Sequence, residues 1–197
     1  MFLLSLSAVV KADPVNFRGG FGATATVSNY TLSGNTFTFT ITNTSSSGSI
    51  TALGFDLTGN RPDTYSIASA TNSNFTIAQD VEAQGGAVTS AGVNAGVFDF
   101  ALLTGSNFGG GTVAQGIGPG GSATFTITGD FSGMTAEQIA RAISVRFQGI
   151  QPGDQSTVGE PVPGTVPEPA TMILLGTGLA GVAARARKRR ASRVEEA

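Results

Sequence analysis

The 197-residue chain is predicted to be all-β: an antiparallel β-sandwich of jelly-roll or immunoglobulin-like type, with one short helix and a C-terminal transmembrane helix. Three observations predict this. Short segments alternate apolar and polar residues with a period of two, the period of a strand. Glycine, 28 of 197 residues, is about twice its usual share of roughly 7% and falls between those segments. Near the end, an uncharged run from Ala170 to Ala184 leads straight into basic residues.

The elements follow in order. Thr24 to Ser33 alternates, Ser33-Gly34-Asn35 reads as a turn, and Thr36 to Asn43 alternates strictly. Phe37, Phe39 and Ile41 then share one face, and Thr36, Thr38, Thr40 and Thr42 share the other. Threonine on a solvent-facing strand keeps high β-propensity without adding apolar surface. Further strands are expected at Ile50 to Leu57, Thr64 to Ala68, Asn74 to Ala78, Val97 to Leu103, Ala123 to Thr128 and Ser144 to Gln148. Gly85-Gly86, Gly109 to Gly111 and Gly116 to Gly121 mark loops between them. Thr135, with Gln138 three residues later, reads as the capping box of one short helix whose buried stripe is Ile139, Ala140 and Ile143. In the strand after it, Val145 and Phe147 are expected to point inward and Arg146 outward. Phe37, Phe39, Phe55, Phe98, Phe100, Phe125 and Phe147 are the expected core, at about 1.5–3 kcal/mol each.

The domain plan is residues 1–12 as a signal-peptide remnant, 13–150 as the β-domain, 151–165 as a Pro-rich linker, 166–190 as a sorting and anchoring segment, and 191–197 as a tail. Five of the eight prolines lie between Gln151 and Pro169, which suits an extended, semi-rigid spacer.

Composition removes whole classes of chemistry. The chain has no cysteine and no histidine. No disulfide can staple it, thiolate and imidazole metal sites are excluded, and no imidazole can activate a serine. Charge is asymmetric: six of the eleven basic residues lie between Arg185 and Arg193, while Asp13 to Pro169 holds four basic residues against eleven acidic ones. An acidic body lacks the basic face that phosphate backbones require, so nucleic acid is not an expected partner.

Both ends carry topological information. Met1 to Val10 is apolar, and Val10-Lys11-Ala12 places small residues at −3 and −1 before Asp13, as at the end of a secretory signal peptide. No positive n-region precedes it, which implies a translation start upstream of Met1. At the other end, Met172, Ile173, Leu174, Leu175, Leu179 and Val182 make the run from Ala170 to Ala184 apolar. A fifteen-residue helix spans about 22 Å, short of a hydrocarbon core of roughly 30 Å; snorkelling arginines and local thinning close that gap. Arg185, Arg187, Lys188, Arg189 and Arg190 hold the cytoplasmic side, leaving the body outside. Ahead of the helix, Val166-Pro167-Glu168-Pro169 combines two fixed φ angles and two missing donors with one carboxylate. Such a segment stays extended and unpaired, which suits a protease or transpeptidase cleft.

Those three parts, in that order, resemble a PEP-CTERM sorting signal, the substrate signal of exosortase, a membrane-embedded transpeptidase-like cysteine enzyme. The resemblance covers about one eighth of the chain. It implies export through the secretion machinery, transient anchoring in the inner membrane by a single span, cleavage at or near the motif, and release or attachment at the surface, often alongside extracellular polysaccharide.

The body carries no motif of comparable weight. Asp56, Asp63, Asp80, Glu82, Asp99 and Asp130 are oxygen ligands of the type calcium takes, but no D-x-[DN]-x-[DN]-G loop organises them. A sugar cleft built on aromatic platforms has only Tyr30 and Tyr65 to use. No carboxylate pair stands out for glycoside hydrolysis, and the Gly109 to Gly111 run opens no helix. Asn29-Tyr30-Thr31, Asn43-Thr44-Ser45 and Asn74-Phe75-Thr76 match the glycosylation triplet by composition. The expectation is therefore a non-enzymatic surface or matrix protein without cofactor, catalytic residue or metal, associated with extracellular polysaccharide or biofilm. The alternative is a carbohydrate- or calcium-binding surface module.

Overall fold

The computed structural model describes residues 13–57, 64–82 and 97–163. Ten strands are found among them: β1 (Val15–Arg18), β2 (Thr24–Ser33), β3 (Thr36–Asn43), β4 (Ser49–Phe55), β5 (Ser66–Ala70), β6 (Thr76–Glu82), β7 (Val97–Leu103), β8 (Ser122–Thr128), β9 (Ile143–Ile150) and β10 (Gln155–Pro161). A single α-helix, α1 (Ala136–Arg141), sits between β8 and β9, and a 3₁₀ turn covers Val113–Gln115. Every strand pairing is antiparallel.

The expected all-β antiparallel class is what the residues form. The strand order is β5-β8-β3-β2-β1-β10-β9-β4-β7-β6, one continuous ladder. Two separate sheets would leave a gap; here β1 pairs with both β2 and β10 and joins the halves. The ladder turns back on itself, so Phe39 of β3 meets Phe55 of β4 with ring centroids 5.9 Å apart. On the far side, the Gln79 side chain of β6 donates to the carbonyl of Tyr65, just before β5, at 2.7 Å. The result approaches a flattened barrel.

Local sequence explains the best-defined strands. In β3 every second residue is buried and the rest are partly covered, as the Phe/Thr alternation requires. The β2–β3 turn has two residues between Ser33 and Thr36, with Gly34 at φ +56°, the arrangement that matches strand twist in a hairpin with glycine first. The register shifts in β2 between Ser28 and Thr31, and Asn29 there adopts φ +51°, which asparagine tolerates better than most side chains. The capping box is formed: Thr135 Oγ1 accepts from Gln138 N at 3.2 Å, and Gln138 Oε1 accepts from Thr135 N at 2.8 Å. The helix stops at Arg141, so Ile143 belongs to β9, where it is 1% exposed.

Packing is aromatic. The seven expected core phenylalanines are buried, and Phe17, Phe75, Phe108 and Phe131 join them. Phe55 stacks on Phe100 at 4.3 Å, and Tyr65 stacks on Phe100 at 4.3 Å. Such pairs add about 0.5–1.5 kcal/mol beyond the area they bury. Phe98 stands apart from this core, in a second cluster with Ala52, Val81, Ala101, Leu103, Phe108 and Val158.

Two expectations need correction. The spacer does not start at residue 151: Gln155–Pro161 is β10, paired with β9 on one side and β1 on the other. The first compact unit accordingly ends at Val162. The proline count concealed this strand; Pro161, its last residue, pairs with Phe17 of β1 but lies beyond the last β9 partner, so its missing N–H faces an unpaired side. Arg146 does leave the inner core as expected, but it does not reach water: the side chain is 6% exposed. The outer face of β9 is itself covered, and a sequence pattern cannot report a second layer.

Candidate functional site

The residues singled out for sorting, Val166, Pro167, Glu168 and Pro169, lie outside the described residues. So do the helix residues Met172, Ile173, Leu174, Leu175, Leu179 and Val182, the basic Arg185, Arg187, Lys188, Arg189 and Arg190, and the leader at 1–12. Among the described residues no helix is long and apolar enough to cross a membrane.

The body's own candidates are placed as follows. Asp56 and Asp80 are exposed, and Asp80 has φ +45°. Asp99 Oδ2 accepts from the Leu57 backbone N–H at 2.6 Å, and Asp130 Oδ1 accepts from Ser132 N at 3.0 Å. These two carboxylates are thus occupied in holding backbone. Asp63 and the Glu82 side chain fall outside the described residues. Among the described residues no three acidic side chains converge as a metal site. Tyr30 and Tyr65 are both buried, with hydroxyls donating to Asp13 O at 2.7 Å and Asp130 O at 2.9 Å; neither is a platform for a sugar ring.

The three glycosylation-like triplets separate clearly. Asn74 is exposed. Asn29 sits in the β2 bulge. Asn43 is 0% exposed; its Nδ2 donates to Gly48 O at 3.0 Å and to Ile117 O at 2.8 Å, while Oδ1 accepts from Ser45 N at 3.0 Å. It is a structural clamp, closed to modification.

Two outer faces stand out. On the first, β2, β3, β5 and β8 together contain no charged residue. Their outward hydroxyls pair across strands: Thr38 with Thr126 at 3.2 Å, Thr40 with Thr124 at 2.9 Å, Thr42 with Ser122 at 2.8 Å and Ser66 with Thr128 at 2.7 Å. Each pair uses one proton; in the Ser66–Thr128 pair the Thr128 hydroxyl also donates to Ser66 O at 3.5 Å, and the other three pairs keep a second donor and spare lone pairs. The face is a neutral sheet of hydroxyl and methyl groups. The alternating threonines forecast its composition, but not its extent over four strands.

On the second face, Arg146 of β9 stands opposite Ala52 of β4 and Val158 of β10. Its Nε and Nη1 are buried and have no hydrogen-bond partner. Burial lowers the pKa of its guanidinium from the usual arginine value. Glu160, two residues beyond Val158, faces the same side and is partly buried; burial raises its pKa from 4.5, and no ion pair joins it to Arg146 among the described residues.

The body is thus a β-domain with hydroxyl-rich and glycine-rich surfaces, followed by a proline–acid motif, an apolar run and a basic end. That ordering is the arrangement of a sorting segment. A family model described as the PEP-CTERM protein-sorting motif matches residues 165–190. The chain carries that sorting signal, which supports an exported surface protein anchored at the membrane and processed by exosortase. No curated protein and no solved structure matches the chain.

Proposed function

We propose that the chain is a non-enzymatic protein of the cell surface or extracellular matrix, held after export with its body outside the cytoplasm and associated with extracellular polysaccharide or biofilm. The observation that carries this reading is the sorting motif at residues 165–190 behind an all-β body. The absence of cysteine and histidine from the sequence supports a structural role, since the common nucleophile and base pairs need them. The uncharged hydroxyl face of β2, β3, β5 and β8 supports contact with a hydrated neutral polymer, whose own surface is a mixture of hydroxyl and C–H groups.

Mass spectrometry of the protein from its own host tests the sorting half. A mature C-terminus near Pro169 is the expected result, and a full-length chain recovered from the cytosol would overturn it. Cosedimentation with the host's extracellular polysaccharide tests the other half. Loss of cosedimentation on replacing Thr38, Thr40, Thr124 and Thr126 by lysine is expected, and retention would count against the hydroxyl face.

A further inference from the structure

Arg146 is a charged group whose Nε and Nη1 are buried without a hydrogen-bond partner. The stem leaves β9 between Ala52 and Val158, two members of the outer apolar cluster that also holds Phe108. The loop bearing Phe108 lies against this face. Gln148, two residues along β9 on the same side, donates Nε2 to Gly109 O at 2.8 Å and accepts from Thr51 Oγ1 at 2.8 Å. Thr104 fastens the loop's ends, donating to Thr51 O at 3.0 Å and accepting from Thr112 N at 3.0 Å.

Among the described residues, none forms an ion pair or hydrogen bond with the Nε or Nη1 of Arg146. The loop at residues 104–112 contains no acidic residue in the sequence. Glu160, the acid on the same face, makes no ion pair with the guanidinium among the described residues. A buried charge left without a partner costs several kcal/mol, and replacing such a group by an apolar side chain is often neutral or stabilising. A guanidinium kept in that position has its donors free for an oxyanion.

We propose that Arg146 anchors an oxyanion subsite beneath the glycine-rich 104–112 loop, taking the carboxylate of an acidic sugar. Arginine is suited to it: the charge is permanent and its planar donors match a carboxylate or sulfate. Gly111 crosses Thr51 so closely that any Cβ there would collide with it, so the loop fits this path only with glycine. This inference deepens the polysaccharide reading by naming a charged group the polymer would present, and it can fail while sorting and export stand.

The test uses the full chain in detergent, at fixed ionic strength balanced with chloride. Thermal melts are recorded with sodium glucuronate, with polygalacturonate and with sodium sulfate. Glucuronate is expected to raise the melting temperature saturably, and Arg146→Met to weaken that response by roughly 100-fold in apparent affinity. In chloride alone, Arg146→Met is expected to melt at or above the native chain. A second readout does not depend on that variant folding. In the native chain labelled with ¹⁵N-arginine, glucuronate is expected to shift one Nε–H resonance, the one missing from Arg146→Lys. A saturable response to glucuronate and polygalacturonate supports the site and its sugar source. A response to sulfate alone overturns the sugar assignment. A flat response, or an equal one in Arg146→Met, overturns the site.

Discussion

Asn43 donates its side-chain amide to the carbonyl oxygen of Ile117 across 2.8 Å, fully out of solvent. Ile117 O also accepts from Ile50 N at 2.9 Å, so the end of β3, the start of β4 and the loop before β8 meet at one residue. Asn43→Ala removes three hydrogen bonds in a buried place and should cost about 2–4 kcal/mol. Urea unfolding of the two chains measures it. A loss under about 0.5 kcal/mol would show that water replaces the amide without penalty.

The bend from β8 toward α1 depends on Gly129. A Cβ added there would overlap the Tyr65 ring. That ring cannot easily move, because it stacks on Phe100 at 4.3 Å and its hydroxyl donates to Asp130 O at 2.9 Å. Gly129→Ala is expected to destabilise by about 1–3 kcal/mol, the usual range for overpacking a filled core. Thermal unfolding followed by near-UV circular dichroism of the tyrosines reads it directly.

Residue 150 is not the end of the domain. β10 lies in the middle of the ladder between β1 and β9. A chain ended after Pro163 should therefore keep cooperative unfolding, whereas one ended after Ile150 should lose it. Exposing the edges of β1 and β9 together would also invite aggregation. If the shorter chain unfolds as cooperatively as the longer one, β10 contributes nothing to the core.

Burial holds the Glu160 carboxyl above its ordinary value of 4.5. The folded chain therefore binds that proton more tightly than the unfolded chain does. Stability from this group is fully present below the unfolded value and declines as pH rises through the folded one. Glu160→Gln removes the decline. Its melting temperature should match the native chain's below about pH 4 and exceed it at neutral pH. A gap that stays constant from acid to neutral pH would refute the assignment.

The sorting motif makes its own prediction. Glu168 is the one charge in Val166-Pro167-Glu168-Pro169. Glu168→Ala should leave an uncleaved chain in the host's membrane fraction, visible as a band heavier than the mature form. Normal processing of that variant would show that the prolines and the helix carry recognition alone.

Much of this was legible in the residues. β2, β3 and β7 begin and end where their alternation does, and Thr135 with Gln138 marks the start of α1. Each rests on neighbours within a few positions, and a strand or cap is a local object. The sorting segment is legible for the same reason: motif, apolar run and basic end are consecutive. By contrast, β10 has no apolar alternation. Gln155–Pro161 becomes a strand because β1 and β9 offer it two unpaired edges, and β1 comes from the opposite end of the body.

By itself, then, the sequence determined the class of fold, the individual strands with strong periodicity and the address at the C-terminus, since all three are written in short-range order. Only the tertiary structure decided that the ladder is continuous through β1 and β10, that Asn43 is a clamp and that Arg146 is enclosed. Those outcomes depend on which distant segments come to lie against a given face. The alternation within one strand says which way a side chain points, not what covers it there.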